Sequence, residues 1–176
     1  DVAAAVGNQF VAADKDIFIL GQGKSKDDGW MGDSVYGNQA EVESLKKLVF
    51  TINSLDFNFL VIGGDLIDSS TFKIHDLNEF KKINKPIFFV TGNHEYYVKN
   101  YKKHLQDLHT VGIQTLDNQS LQLEGINLIG ISDNISNNSK IDYVLKLSKK
   151  DLFNLLIVHK PSIWKKVSIN ANLMLS

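Results

Sequence analysis

From Asn38 to Ser54 apolar residues return every three or four positions, with Val42, Leu45, Leu48, Val49 and Ile52 on one face. That spacing predicts an amphipathic helix, and Asn38 with Glu41 has the form of a capping box at its start. The period then changes. Phe57–Ile62 is a short, largely apolar run closed by Gly63-Gly64-Asp65, which suits a strand buried on both faces. Thr71–Ile83 resumes helical spacing through Ile74, Leu77, Phe80 and Ile83. It must stop before Pro86, whose ring drives the preceding residue out of helical geometry. A second strand, Ile87–Val90, runs into Thr91-Gly92-Asn93-His94. A third helix, from about Glu95 to Leu108, turns Val98, Tyr101, Leu105 and Leu108 inward and ends near Gly112.

The rest of the chain reads as short strands at Ile113–Leu116, Leu121–Leu123 and Asn127–Ile131, a polar loop rich in Asn and Ser, and a helix at Ile141–Leu147. Leu152–Val158 is a further strand ending at His159, and Asn172–Leu175 begins another. Residues 1–37 carry the least legible pattern, with Asp16–Leu20 as a candidate strand and Gly21–Gly37 loop-like. Strand and helix alternating in this way predict an α/β fold with a mostly parallel sheet built from βαβ units. No repeat or linker divides the chain, so 1–176 is expected to be a single domain.

Composition narrows the chemistry. A formal charge of −1 gives no broad cationic surface for nucleic acid. Cysteine is absent, so any metal must be held by oxygen and imidazole. Every basic residue is lysine, which removes the bidentate guanidinium clamp on phosphate. No apolar run approaches the roughly 20 residues that span a bilayer, and the mildly apolar opening is interrupted at Gly7, Asn8 and Gln9, unlike a secretion signal.

Three predicted strands end in groups that hard or borderline cations favour: Asp65, Asn93 with His94, and His159. In open α/β sheets ligands gather outside the carboxyl ends of the strands, so these residues can converge. A carboxylate can bridge two cations, and an amide carbonyl and an imidazole can complete one of them. The set has the form of one metal site and half of another.

Gly63-Gly64-Asp65-Leu66-Ile67-Asp68, Gly92-Asn93-His94-Glu95 and Val158-His159-Lys160-Pro161 resemble, in order and separation, the second, third and fourth signatures of the calcineurin-like metallophosphoesterases of the bacterial single-domain type. The resemblance covers roughly Gln39 to Ser176. It implies a β-sandwich flanked by helices that hydrolyses phosphate esters (monoesters, diesters or nucleotide pyrophosphates) by attack of water activated between two divalent cations. It further implies that Asp65 is the bridging carboxylate, Asn93 and His159 are ligands of the second metal, His94 is the acid near the leaving oxygen, and Asp68 orients its neighbours. The cations would be manganese, iron or zinc, the partner a small phosphorylated substrate, and the location cytoplasmic, where such relatives sit at the inner membrane face.

The chain also departs from the pattern. The family opens with Asp-x-His, supplying the first metal. Asp28-Gly29-Trp30 is the nearest match by spacing, with tryptophan where histidine is expected, and indole N–H cannot ligate. An alternative alignment runs Asp16–Leu20 into Gly21-Gln22-Gly23 and leaves no ligand there. Asn172-Leu173-Met174-Leu175-Ser176 resembles the strand that leads into the family's Gly-His-Thr-His, so the domain is expected to be incomplete at its C-terminus and to keep one cation of the two. The same departures motivate a second reading, a catalytically impaired module that binds metal, phosphate or a partner. Among the remaining signals, Gly21-Gln22-Gly23-Lys24-Ser25 lacks the earlier glycine of a P-loop, with Phe18 in its place. His75, His104, His109 and the lysines of Lys99–Lys103 fit a solvated surface, and Tyr96 and Tyr97 fit either a pocket wall or the core.

Overall fold

The computed structural model describes residues 2–6, 9–14, 17–22, 39–67, 72–123 and 125–176. Strands β1 (Val2–Val6), β2 (Gln9–Asp14), β3 (Ile17–Gln22), β4 (Phe59–Ile62), β5 (Ile87–Phe89) and β6 (Ile113–Thr115) form one sheet in chain order. Strands β3 to β6 run parallel, while β1 and β2 extend the sheet antiparallel. A second sheet is built from β7 (Gln119–Leu123), β8 (Ile126–Ile131), β9 (Phe153–Val158) and β10 (Leu173–Leu175) in the order β10-β9-β8-β7, parallel except for β7. The helices are α1 (Gln39–Asn53), α2 (Tyr101–Asp107), α3 (Asn137–Leu147) and α4 (Trp164–Val167).

Alternation along each strand sets the layers, because successive side chains face opposite sides of a sheet. Phe59, Val61 and Phe88 of the first sheet's strands, with Val90 just after β5, meet Leu128, Leu155 and Ile157 of the second in one buried cluster. Phe59 and Phe88 pack edge to face there, with ring centroids 5.8 Å apart. The intervening Leu60, Ile62, Ile87 and Phe89 face Leu48, Val49 and Ile52 of α1 together with Leu77, Phe80 and Leu108. On the far side, Ile129, Ile131, Leu156 and Val158 face Val144 of α3 and Val167 of α4. The result is helix, sheet, sheet, helix. Each fully buried Leu or Ile contributes about 1.5–3 kcal/mol, so the double-sided burial of β4, β5, β8 and β9 explains why they lack the alternation of a solvated strand.

Two predicted helices differ in form. Thr71–Ile83 becomes a 3₁₀ segment over Ile74–Lys82, entered from the extended Lys73, with Leu77 and Phe80 buried. The helix expected from Glu95 to Leu108 is broken. A 3₁₀ turn at His94–Tyr97 ends at the extended Val98, Asn100 takes the left-handed conformation (φ 61°), and only then does α2 begin. Asparagine tolerates that region better than most residues. A further 3₁₀ turn, Leu108–Val111, is closed by Gly112 at φ 85°. The break lets Glu95 and Val98 both turn inward, three residues apart. His104 is half-buried, its ring edge-on to Phe72 at 5.2 Å, so it departs from the expected surface position. Among the described residues no helix is long and apolar enough to cross a membrane.

Candidate metal centre

The parallel strands of both sheets deliver their C-terminal ends to one rim. After β4 the chain turns sharply, with Gly64 at φ 106° and Asp65 at φ 56°. Two glycines are required by proximity. A Cβ at Gly92 would lie 2.1 Å from Asp65 Oδ1, and one at Gly64 would lie 2.5 Å from His159 Nδ1. With those side chains absent, the β4, β5 and β9 loops close on one another. His159 Nε2 reaches Asp65 Oδ2 at 3.2 Å, across the two sheets. The His94 backbone N–H donates to Asp65 Oδ1 at 3.1 Å.

The second ring nitrogen of His159 lies 2.9 Å from the Gly63 carbonyl. A carbonyl only accepts, so Nδ1 carries a proton and Nε2 is the atom turned to Asp65. The Asp65 carboxylate raises the His159 pKa, against partial burial, with the Gly63 carbonyl and the Asp133 charge adding to the rise. Burial pushes Asp65 upward, but its bonds to His159 and the His94 N–H and the charges of both histidines outweigh it, holding the carboxyl below its usual value.

Asn93 is half-buried at the start of the 3₁₀ turn and its side chain makes no capping hydrogen bond, so the alternative role of a helix cap is not the one it fills. His94 is half-buried, with Tyr97 edge-on to its ring at 6.0 Å. Asp28 and Asp68 lie outside the described residues. The register Leu20↔Ile62 makes β3 the neighbour of β4 and carries Gly21 and Gln22 to the rim beside Gly63. That is the strand of the alternative alignment, ending without a carboxylate or imidazole.

Glu95, given no role by the sequence, holds the site together. Its side chain is fully buried and accepts the backbone N–H groups of Asp65 (3.1 Å), Ile67 (2.9 Å) and Gly92 (2.7 Å). Burial raises its pKa and the nearby Asp65 adds to the rise, opposed by those three bonds. Behind it, Asp117 accepts the Thr91 N–H at 2.9 Å and hydroxyl at 2.8 Å, and Tyr96 bonds the same hydroxyl. Burial lifts the Asp117 carboxyl above its ordinary value and pushes the Tyr96 phenol up to about 12. Tyr96 is therefore part of the scaffold, whereas Tyr97 is 78% exposed. On the second sheet, Asp133 pairs with Lys140 at 2.5 Å and Lys160 at 2.7 Å. The only sequence hints of these groups were a glutamate closing Gly-Asn-His-Glu and a lysine following His159.

Two donors held by one cation at about 2.0–2.2 Å each, at an angle near 100°, stand about 3.2 Å apart. The Asp65 to His159 separation is that of neighbouring ligands on one ion, and a carbonyl-anchored imidazole is the usual ligand geometry. Asn93 is the third candidate donor; among the described residues no three His, Asp or Glu side chains gather as a metal group. The donor set thus fits one divalent cation in part.

A helix-flanked double sheet with oxygen and imidazole donors at the carboxyl ends of its strands defines an α/β sandwich with a candidate metal-binding rim. The profile of the family described as calcineurin-like phosphoesterase matches residues 29–174. This chain belongs to that family. Its similarity extends to two uncharacterized metallophosphoesterases of Helicobacter pylori. One, from strain ATCC 700392 / 26695, is 31% identical over 134 residues, covering 71% of this chain and 36% of that protein. The other, from strain J99 / ATCC 700824, is 30% identical with the same coverage. A Danio rerio transmembrane protein with metallophosphoesterase domain is 32% identical over 99 residues, covering 51% of this chain and 23% of that protein. The chain thus spans about a third of the Helicobacter relatives. A solved nuclease MPE from Pseudomonas putida aligns with TM-score 0.42 and 13% identity over 88% of this chain and 71% of that one.

Proposed function

We propose that this chain carries out metal-dependent hydrolysis of phosphate esters, with a small phosphorylated molecule as substrate. Family membership supports the reaction class. The observation that carries the reading is the meeting of Asp65 and His159 at 3.2 Å from strands of different sheets. Asp65, Asn93 and His159 would hold the cation. When bound, manganese, iron or zinc would supply Lewis acidity toward the phosphoryl oxygens and lower the pKa of the attacking water. The His159 Nδ1–H keeps the ring facing Asp65 through the Gly63 carbonyl. His94, whose backbone N–H donates to Asp65 Oδ1, would protonate the departing alkoxide. Glu95 keeps the Asp65 and Gly92 loops in register.

Hydrolysis of p-nitrophenyl phosphate in the presence of Mn²⁺ or Zn²⁺ tests this. His94→Ala and Asp65→Ala should each lower kcat/KM by about 10²-fold or more. Equal rates for both variants and wild type at saturating metal would remove the mechanism. The β3 terminus supports a second reading, since β3 pairs with β4 and runs into Gly21 and Gln22, which offer no carboxylate or imidazole. On that reading the chain binds one cation, or phosphate, without turnover. Calorimetry separates the two, with two bound Mn²⁺ per chain favouring hydrolysis and one or none favouring the binding module.

A further inference from the structure

Beside the Asp65–His159 pair lies a charge cluster that the hydrolytic reading does not use. The register Ile131↔Val158 ends the pairing of β8 and β9, and Asp133 and Lys160 both lie two positions beyond it. Lys160 donates to Asp133 Oδ2 and Lys140 to Oδ1, at 2.7 and 2.5 Å. The Asp133 and Lys140 side chains are each 3% exposed, whereas that of Lys160 is 53% exposed. The Asp133 backbone N–H donates to the Thr91 carbonyl at 3.2 Å, which ties the cluster to the loop bearing Asn93 and His94. The Asp133 charge is felt at His159.

The arithmetic of charge is the point. A lone Asp133–Lys160 pair would be neutral and would attract no anion. Burying Lys140 carries a desolvation cost that only good partners offset. Its presence satisfies Asp133 and leaves the cluster with one uncancelled positive charge, at the one ammonium that reaches solvent. An ammonium has three donors, and the bond to Asp133 uses one of those on Lys160. In a chain without arginine, the bond to Asp133 gives this lysine's ammonium a defined position at the surface.

We propose that Lys160, fixed by Asp133 and charge-balanced by Lys140, binds a non-reacting oxygen of a phosphate monoester dianion at this rim. The substrate class rests on the hydrolytic reading; the anion site does not. A monoester dianion carries twice the charge of a diester, so a net cationic anchor favours it.

The test titrates inorganic phosphate and dimethyl phosphate into the Mn²⁺-loaded and metal-free chain by calorimetry, using wild type, Lys160→Met and Lys160→Arg, with melting curves to verify folding. Phosphate Kd should rise about tenfold in Lys160→Met and return to within about threefold of wild type in Lys160→Arg, while dimethyl phosphate shifts less than threefold. Equal phosphate affinity in wild type and Lys160→Met overturns the proposal, as does no saturable phosphate binding by wild type. A parallel p-nitrophenyl phosphate assay keeps the two ideas apart. Lys160-dependent binding without turnover keeps the anion site and removes the hydrolase reading. Turnover with Lys160-independent phosphate affinity does the reverse.

Discussion

The two halves of the rim are fastened by opposite means. On the first sheet the loops after β4 and β5 are stitched backbone to carboxylate, with Glu95 taking three main-chain N–H groups and Asp117 another from Thr91. On the second sheet the ends of β8 and β9 are fastened side chain to side chain, through Lys140, Asp133 and Lys160. Backbone held by a buried acceptor has little freedom, which suits groups that must meet a cation within tenths of an ångström. A side-chain cluster leaves one charged end at the surface, which suits contact with a mobile anion. Asp65 meets His159 where the two halves touch, and the bond from the Asp133 N–H to the Thr91 carbonyl is a second link between them.

That contrast can be broken from either side. The largest effect is expected at Asp133. Asp133→Asn leaves the buried Lys140 without its counter-charge and should cost about 3–5 kcal/mol of stability, measured by urea unfolding. Gly92→Ala strikes the other half, because its Cβ would fall 2.1 Å from Asp65 Oδ1. On the proposed reading, a displaced Asp65 should lower kcat/KM for p-nitrophenyl phosphate by about 10²-fold, with a smaller change in melting temperature. Glu95→Gln replaces one acceptor oxygen with an N–H group facing backbone donors and should destabilise by about 1–3 kcal/mol.

Acid pH sharpens the comparison further. Burial raises the Asp133 carboxyl, but the bonds and charges of Lys140 and Lys160 outweigh it and hold it below its ordinary 3.8. The unfolded chain therefore takes up this proton first, so the stabilisation is complete above about pH 5 and is lost as pH falls through the folded-state value. Wild type should lose stability on acidification more steeply than Asp133→Asn, as read by melting temperature between about pH 5 and 3. The smallest effect is at Tyr97, which is 78% exposed; Tyr97→Ala should change stability by less than about 0.5 kcal/mol.

What could be read from sequence follows the same division. Strands β4, β5 and β9 announced themselves because each is buried on both faces, with a glycine or histidine at or soon after the end of its apolar run. Asp65 and His159 were singled out as candidates because they sit at those ends. The hairpin of β1 and β2 was missed, since Ala3, Ala4, Ala5, Ala12 and Ala13 have little strand preference, although Gly7-Asn8 between two runs is a turn signal. The break at Asn100 was missed because Val98, Leu105 and Leu108 keep near-helical spacing across it. Lys140 and Asp133 could not be paired from sequence, because they meet across the loop from β8 to α3 and a buried lysine looks like any other.

The central claim is that Asp65 and His159, contributed by different sheets, grip one cation together. Mn²⁺ titration followed by electron paramagnetic resonance tests it directly on wild type, Asp65→Ala and His159→Ala. Each variant should weaken the tightest Mn²⁺ site by about tenfold or more while still melting in one cooperative transition, which verifies folding. Equal Mn²⁺ affinity in all three proteins would contradict the account.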